Sequence, residues 1–195
     1  MSAITVLDLD YGNTESIRLA FARAGADTAL ARTAEAVEQA ERLVLPGVGA
    51  APFAMARIQS LGLADALKRR ARPSLGICLG MQLLFRHSEE GDAGLLGIIP
   101  GNVRALEPGP GAPVPHMGWS SLERSAPELG IQAGEHLYFA HGFVCDDGPW
   151  IAAHAGYGGR AIPAVLQHGP WWGAQFHPER SSHAGARFLQ AFLAA

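Results

Sequence analysis

The most informative stretch of the sequence is Ser74-Leu75-Gly76-Ile77-Cys78-Leu79-Gly80-Met81-Gln82, which passes from a short apolar run into a segment typical of a helix. Three earlier apolar runs, at 3–9, 27–31 and 42–45, are likewise followed by helical patterns. The first of those helices is expected to begin with Thr14 as its N-cap, and the helix after Cys78 is expected to reach Arg86. Strands that alternate with helices in this way predict a parallel sheet with helices on both faces.

The second half of the chain has a different character. From about residue 95 to residue 176, short apolar runs are broken by Gly and Pro, which predicts hairpins and edge strands. The last strand is expected at 171–176 and a final helix at 183–194. The prediction is one α/β domain over residues 1–195, with a mostly parallel central sheet flanked by helices and a mixed or antiparallel extension in the C-terminal half.

Composition excludes several functional classes. The 195 residues are 48% hydrophobic and 17% charged, which excludes intrinsic disorder. The net charge is −3, with 15 basic and 18 acidic residues, so nucleic-acid binding is not expected. No apolar run is long enough to span a membrane, and the first strand is not preceded by a signal-peptide pattern. Two cysteines are too few for a disulfide scaffold, and the eight histidines show no metal-ligand spacing. We therefore expect a cytoplasmic protein without metal or cofactor.

The strongest candidate for a catalytic group is Cys78. Glycines two residues before and after it allow the sharp strand-to-helix turn that lifts a nucleophile above a sheet. The N-terminal amides of the following helix would stabilise a thiolate there. The alternative is a buried, inert cysteine in an ordinary turn. Cys145 lies in a strand-like run without flanking glycines, and we expect it to be structural.

A thiolate nucleophile needs a proton donor and a group that orients this donor. His177-Pro178-Glu179 supplies both residue types directly after a strand, and the proline stiffens their connection. Alone, this tripeptide is more typical of an ordinary surface turn than of a catalytic site. About 100 residues after a nucleophile turn, it becomes a candidate acid–base pair.

The turn Pro46-Gly47-Val48-Gly49 closes the strand expected to lie beside the Cys78 strand. Its glycines would allow peptide N–H groups to point at an oxyanion, with Gly49 as one donor and the Leu79 N–H as the second. The alternative is an ordinary strand-to-helix turn, which Pro-Gly often forms.

These three motifs, in this order and at these separations, resemble the class I (triad) glutamine amidotransferases. Within that family the sequence resembles the glutaminase subunits of imidazole glycerol phosphate synthases. The residues that carry this second resemblance are Met81 before Gln82, Ser88-Glu89-Glu90-Gly91, Pro115-His116-Met117-Gly118-Trp119, Tyr138-Phe139-Ala140-His141-Gly142-Phe143 and Arg180-Ser181. Three segments depart from the usual pattern: Thr14 follows Asn13 where an aliphatic residue is usual, Gly142-Phe143 replaces a hydroxyl residue followed by Tyr, and Ser120 stands where Asn is common.

The resemblance implies a role for each matched residue. Cys78 would be the nucleophile, His177 the acid and base, and Glu179 its orienting partner. The groups that would hold the amino and carboxylate end of glutamine are Gln82, Glu90 and the backbone of Gly142 and Phe143. The residues that would lie on or near the side facing a partner protein are Trp119, Tyr138 and Arg180.

The implied function is hydrolysis of glutamine to glutamate and ammonia. The ammonia would pass to a (βα)8-barrel cyclase subunit of a heterodimer, which makes imidazole glycerol phosphate and AICAR from PRFAR in histidine biosynthesis. One alternative is the glutaminase subunit of an anthranilate or pyridoxal-phosphate synthase, which the segment 115–119 disfavours. Another is a catalytically silent binding protein on the same fold, which the complete set of Cys, His and Glu disfavours.

Activity is expected to be low in the isolated chain and to rise when the partner carries its ligand. The turn 46–49 is the candidate switch, because glycines let a peptide rotate an N–H into the oxyanion position. A β-branched residue at Gly47 should then blunt activation and leave partner binding nearly unchanged.

Overall fold

A computed structural model describes residues 3–195 of the chain. Its strands are β1 (Ala3–Leu7), β2 (Asp27–Ala31), β3 (Arg42–Leu45), β4 (Ser74–Ile77), β5 (His87–Ser88), β6 (Ala93–Gly94), β7 (Asn102–Ala105), β8 (His116–Ser121), β9 (His136–His141), β10 (Phe143–Cys145), β11 (Ile151–Tyr157), β12 (Arg160–His168) and β13 (Trp171–Ala174). Its α-helices are α1 (Thr14–Arg23), α2 (Ala34–Gln39), α3 (Ala51–Ser60), α4 (Ala64–Lys68), α5 (Leu79–Gln82) and α6 (Ser182–Ala194).

The central sheet has seven strands in the order β11-β12-β13-β4-β3-β1-β2. The strands from β13 to β2 pair in parallel, whereas β12 and β11 form an antiparallel extension at one edge. A smaller sheet, β10-β7-β5-β6, and the antiparallel pair β8-β9 come from the middle of the chain. The predicted fold class is confirmed, including the antiparallel extension in the C-terminal half.

Both faces of the central strands β3, β4 and β13 are buried, because apolar side chains alternate between them with the two-residue period of a strand. Along β3, Val44 belongs to a core with α1 and α6, whereas Leu43 and Leu45 belong to a core with α2, α3 and α4. Near-continuous apolar strands of this kind are typical of parallel sheets covered by helices on both sides. Among residues 3–195, no helix is long and apolar enough to cross a membrane.

Two boundaries differ from the sequence-based predictions. Thr14 is the first residue of α1 and not its N-cap, which is Asn13. The helix after Cys78 is only four residues long. It ends early because the carbonyls of Leu83 and Leu84 accept hydrogen bonds from the segment 96–99 and not from the next helical turn.

The parallel arrangement brings the ends of four strands to one edge of the sheet. The segments that follow β1, β3, β4 and β13 contain Asn13, Gly49, Cys78 and His177 respectively. In open α/β sheets, ligands bind at the carboxyl ends of the strands. This edge is therefore where a site is expected.

Candidate active site

Cys78 occupies the turn between β4 and α5 with φ +53° and ψ −110°, a conformation that a side-chain-bearing residue adopts only under constraint. A Cβ at Gly76 would lie 2.6 Å from the Gly80 carbonyl oxygen, and a Cβ at Gly80 would lie 1.9 Å from that of Leu45. The turn is therefore possible only with glycine at both positions. The Cys78 N–H donates to the Ala174 carbonyl at 2.7 Å, which fixes the turn to β13.

His177 directly precedes the short 3-10 helix Pro178–Arg180, which contains Glu179. The His177 Nδ1 is 2.8 Å from Glu179 Oε1, and both side chains are buried. Burial lowers the pKa of the His177 imidazole, but its interactions with Cys78 and Glu179 outweigh this effect and raise the pKa to about 10. These interactions favour the cationic form of the imidazole. The structure thus brings Cys78, His177 and Glu179 into one interacting group.

Asn13 joins this group, although its sequence context predicts no role for it. Its side-chain Nδ2 donates to Glu179 Oε1 at 3.1 Å across 166 residues of sequence. The second carboxylate oxygen of Glu179, Oε2, is buried and has no hydrogen-bond partner within residues 3–195. Asn13 therefore supplies the side-chain donor that holds Glu179 beside His177. No local sequence signal predicts this contact, because it depends on how α1 packs against the turn at 178–180.

The turn after β3 lies directly against the nucleophile turn. A Cβ at Gly47 would come within 2.5 Å of the Gly80 nitrogen and 2.6 Å of the Leu79 Cβ. Gly49 differs, since it has φ +90° and nothing within 4 Å of its Cβ position. Glycine is therefore needed at position 47 because this turn packs closely against the nucleophile turn. Gly49 is the residue whose surroundings leave the backbone room to change conformation. The expectation that a larger residue at Gly47 would affect activation alone is revised: it would displace the nucleophile turn itself.

An open cavity of about 880 Å³ lies over these groups. Cys78 and His177 line it, together with the turn residues Val48 and Gly49. The other predicted site residues in its lining are Leu79, Gln82, Glu90, Gly142, Phe143, Glu179 and Arg180. The residues predicted as nucleophile, as oxyanion donors and as substrate-binding groups therefore all line the same cavity.

Two polar side chains in this lining are held by the backbone. The Gln82 Nε2 donates to the Phe143 carbonyl at 2.9 Å. Glu90 Oε2 accepts the Ala51 N–H at 2.7 Å, at the N-terminus of α3, where backbone N–H groups lack helical partners. These contacts fix a neutral amide and a carboxylate at the cavity wall.

Cys145 lies elsewhere, on β10, and the lining of this cavity includes Cys78 but not Cys145. Complete burial raises the pKa of the Cys145 thiol, which keeps it protonated. A thiol is far less nucleophilic than a thiolate. Cys145 is therefore a buried thiol outside the cavity lining, whereas Cys78, the cysteine with flanking glycines, lines the cavity.

Three residues predicted on the partner side form one patch beside the cavity. Trp119 and Tyr138 are cross-strand neighbours on β8 and β9, with ring centroids 5.9 Å apart. The Arg180 guanidinium lies 4.6 Å from the centroid of the Tyr138 ring. Met117 is on the same strand as Trp119, and 65% and 51% of their respective surfaces are exposed. We call Met117, Trp119, Tyr138 and Arg180 the hairpin patch.

Comparison with known proteins identifies the family of the chain. The profile of the family "Glutamine amidotransferase class-I" matches residues 5–195. The chain belongs to the class-I glutamine amidotransferases. The family predicted from the three motifs is thereby confirmed.

Relatives of this class-I glutamine amidotransferase extend over nearly its whole length. It is 45% identical to the imidazole glycerol phosphate synthase subunit HisH of Xanthomonas axonopodis pv. citri, over 99% of this chain and 98% of that protein. The HisH protein of Xylella fastidiosa is also 45% identical, with the same coverage of both chains.

Solved structures share the fold at lower sequence identity. A crystal structure of a glutamine amidotransferase superposes with a TM-score of 0.75 at 21% identity, covering 98% of this chain and 97% of that one. The structure of PurLQS from Thermotoga maritima gives a TM-score of 0.70 at 21% identity, covering 98% of this chain and 97% of the matched chain. These likenesses concern the fold alone.

Proposed function

We propose that this chain is the glutaminase subunit of an imidazole glycerol phosphate synthase, a single cytoplasmic domain over residues 1–195 that hydrolyses glutamine to glutamate and ammonia. The observation that carries the proposal is the group formed by Cys78, His177 and Glu179 at the wall of the cavity. The 45% identity to synthase subunits over 99% of the chain supports the choice of synthase.

The first step is attack of the Cys78 sulfur on the carboxamide carbon of glutamine. The proposed attacking species is a thiolate beside a cationic imidazole, and the hydrogen bond from His177 Nδ1 to Glu179 Oε1 at 2.8 Å supports the cationic ring. The attack turns the carboxamide oxygen into an oxyanion. The N–H groups of Gly49 and Leu79 are the proposed donors, and Leu79 begins α5, where N–H groups have no intrahelical acceptor.

His177 then acts as acid and base in turn. It gives its proton to the departing nitrogen, so that ammonia leaves and a thioester on Cys78 remains. The neutral imidazole next takes a proton from water, which attacks the thioester and releases glutamate. Glu179 keeps the imidazole in place and supports its charge, and Asn13 keeps Glu179 in place.

The amino-acid end of glutamine is bound by opposite charge and by backbone groups. Glu90 uses Oε2 on the Ala51 N–H, which leaves Oε1 for the substrate ammonium. Gln82 turns its NH2 towards the Phe143 carbonyl, so that its carbonyl oxygen is the free end of the amide. Gly142 and Phe143 contribute backbone groups at the facing wall.

The proposed partner is a (βα)8-barrel cyclase that docks on the hairpin patch and covers the cavity mouth. Tryptophan, tyrosine and arginine are the residue types that dominate binding at protein interfaces. The location supports the proposal, since Arg180 belongs both to the patch and to the cavity lining. Ammonia released at Cys78 would then enter the partner and not the solvent.

The test measures glutamate release by the full-length chain, alone and with the barrel cyclase and its ligand. We expect slow turnover alone, faster turnover in the liganded complex, and none with Cys78→Ala. Trp119→Ala should weaken partner binding about thirtyfold, whereas Leu30→Ala, an exposed apolar residue on the edge strand β2, should not. Absence of glutamate under every condition would refute the proposal.

A further inference from the structure

Two buried histidines beside the cavity have no part in the reaction described above. His116 is 1% exposed and lies between the rings of Phe139 and Tyr157, with centroid distances of 4.8 and 3.7 Å. His141 is 5% exposed and lines the cavity. Burial lowers the pKa of His116 to about 4 and that of His141 to about 4, so both rings are neutral at pH 7. Each ring therefore has one N–H donor and one nitrogen acceptor.

The Phe143 carbonyl determines which nitrogen carries each proton. His141 Nδ1 lies 2.8 Å from this carbonyl, which can only accept, so Nδ1 is protonated and Nε2 is an acceptor. His116 Nδ1 lies 3.1 Å from His141 Nε2 and must therefore be its donor. The remaining nitrogen, His116 Nε2, accepts from the Ser120 hydroxyl at 2.9 Å. The hydrogen bonds thus run in one direction, from Ser120 to the carbonyl.

The same carbonyl also orients two buried amides. Gln82 Nε2 lies 2.9 Å from the Phe143 oxygen and 2.9 Å from Gln175 Oε1. If the Gln82 amide were rotated by 180°, its oxygen would face the Phe143 oxygen and Gln175 Oε1. The NH2 group of Gln82 must therefore donate to both of these oxygens. Gln175 consequently offers its oxygen to Gln82 and turns its NH2 towards the Cys78 sulfur, 3.8 Å away. Gln175 is fully buried, so its NH2 group is not in contact with surface water.

We propose that Gln175 is a further catalytic residue, which donates an N–H to the Cys78 sulfur and stabilises the thiolate, and that Ser120, His116 and His141 are positioning residues that hold this donor in place through the Phe143 carbonyl and Gln82. The proposal rests on the proposed function of Cys78 as nucleophile. Hydrogen bonds to a charged acceptor are about twice as strong as neutral ones, so a donor aimed at the sulfur favours its anionic form.

Two other groups face the sulfur. One is His177, which is hydrogen-bonded to Glu179, and the other is the Ala140 carbonyl, 3.8 Å from Sγ. His177 must give its proton away during the reaction, whereas an amide keeps its hydrogens throughout. Gln175 therefore offers the sulfur a donor that does not depend on the protonation state of His177.

The first test measures how fast iodoacetamide alkylates Cys78 as a function of pH, in a Cys145→Ala background without glutamine or partner. Gln175→Met keeps the buried volume and removes the donor. We expect the midpoint of the alkylation profile to rise by about one pH unit, which is a roughly tenfold loss of reactivity below the midpoint. Ser74→Ala removes another fully buried polar side chain, on β4, and should leave the midpoint unchanged while lowering the melting temperature. Superimposable profiles for the parent and Gln175→Met would overturn the proposal.

The second test concerns the positioning residues and uses Ser120, which is farthest from the sulfur along the chain of bonds. Ser120→Ala should raise the alkylation midpoint in the same direction as Gln175→Met, whereas Ser120→Asn, which keeps a donor, should restore it. In a chain that already carries Gln175→Met, Ser120→Ala should produce no further shift. A shift that persists undiminished in the double variant would refute the relay, since a general loss of stability would act in both backgrounds.

Alkylation requires neither glutamine nor a partner, so the two proposals can fail separately. If the wild-type chain released no glutamate while the alkylation shifts appeared as expected, the proposed function would be wrong and the role of Gln175 towards the sulfur would stand. If glutamate release were normal and the alkylation shifts were missing, the proposed function would stand and the role of Gln175 would be wrong.

Discussion

The buried histidine pair should make the folded chain sensitive to acid well above the pH at which carboxylates are protonated. In the unfolded chain each imidazole titrates near pH 6.5, whereas burial lowers the folded-state pKa of His116 and of His141 to about 4. A lowered pKa contributes stability that is complete above pH 6.5 and is lost as the pH falls towards 4. Between these limits, each histidine binds a proton only when the chain unfolds. The free energy of unfolding should therefore fall by up to about 1.4 kcal/mol per pH unit for each histidine.

Urea denaturation followed by tryptophan fluorescence at pH 6.5, 6.0, 5.5 and 5.0 measures this slope directly. His116→Phe removes one titrating group and keeps an aromatic ring against Phe139 and Tyr157. We expect the variant to be less stable at pH 6.5, because two hydrogen bonds are lost, but its slope should be smaller by about 1.4 kcal/mol per pH unit. His168→Gln, at an exposed position of β12, should leave the slope unchanged. Parallel lines for wild type and His116→Phe would refute the reasoning.

Three further predictions concern the proposed reaction. Cys78→Ala should abolish glutamate release and labelling by a glutamine-analogue electrophile, whereas Cys145→Ala should keep most of both. His177→Ala should slow thioester formation in single-turnover measurements more than Glu179→Ala, because it removes the proton carrier and not merely its support. Gly49→Val should slow steady-state glutamate release in the liganded complex about 100- to 1,000-fold by misplacing an oxyanion donor, with alkylation of Cys78 unchanged.

Each of these predictions can fail in a recognisable way. Labelling mainly at Cys145 would exclude Cys78 as the nucleophile. A larger loss with Glu179→Ala than with His177→Ala would reverse the two assigned roles. Full activity in Gly49→Val would remove the turn after β3 from the oxyanion site, and a free chain as fast as the liganded complex would exclude control by the partner.

The general fold could be predicted because the apolar runs are short, separated by helical patterns and bounded by Gly and Pro. The predicted parallel sheet and antiparallel extension follow from this local information. The length of α5 could not be predicted in the same way. The carbonyls of Leu83 and Leu84, directly after α5, accept hydrogen bonds from the segment 96–99, and such competition between partners distant in sequence leaves no local signal.

In the site, too, some residues could be predicted from local motifs and others could not. Cys78, His177 and Gly49 lie in motifs whose residue types already suggest their chemistry. Asn13 and Gln175 are polar residues without such a context, and their contacts depend on packing between separate elements. For Gly47, the sequence suggested conformational freedom, whereas the neighbouring backbone shows that the position is restricted by space.

The strained backbone conformation of Cys78 affects which substitutions would stabilise this protein. A side-chain-bearing residue at φ +53° and ψ −110° costs about 1–3 kcal/mol, which the surrounding sheet has to offset. Cys78→Gly would relieve that cost and should raise the melting temperature while ending catalysis. A lineage selected only for thermostability would therefore lose this side chain early. If Cys78 has its proposed role, selection for glutamine hydrolysis would retain a residue that lowers the stability of the fold.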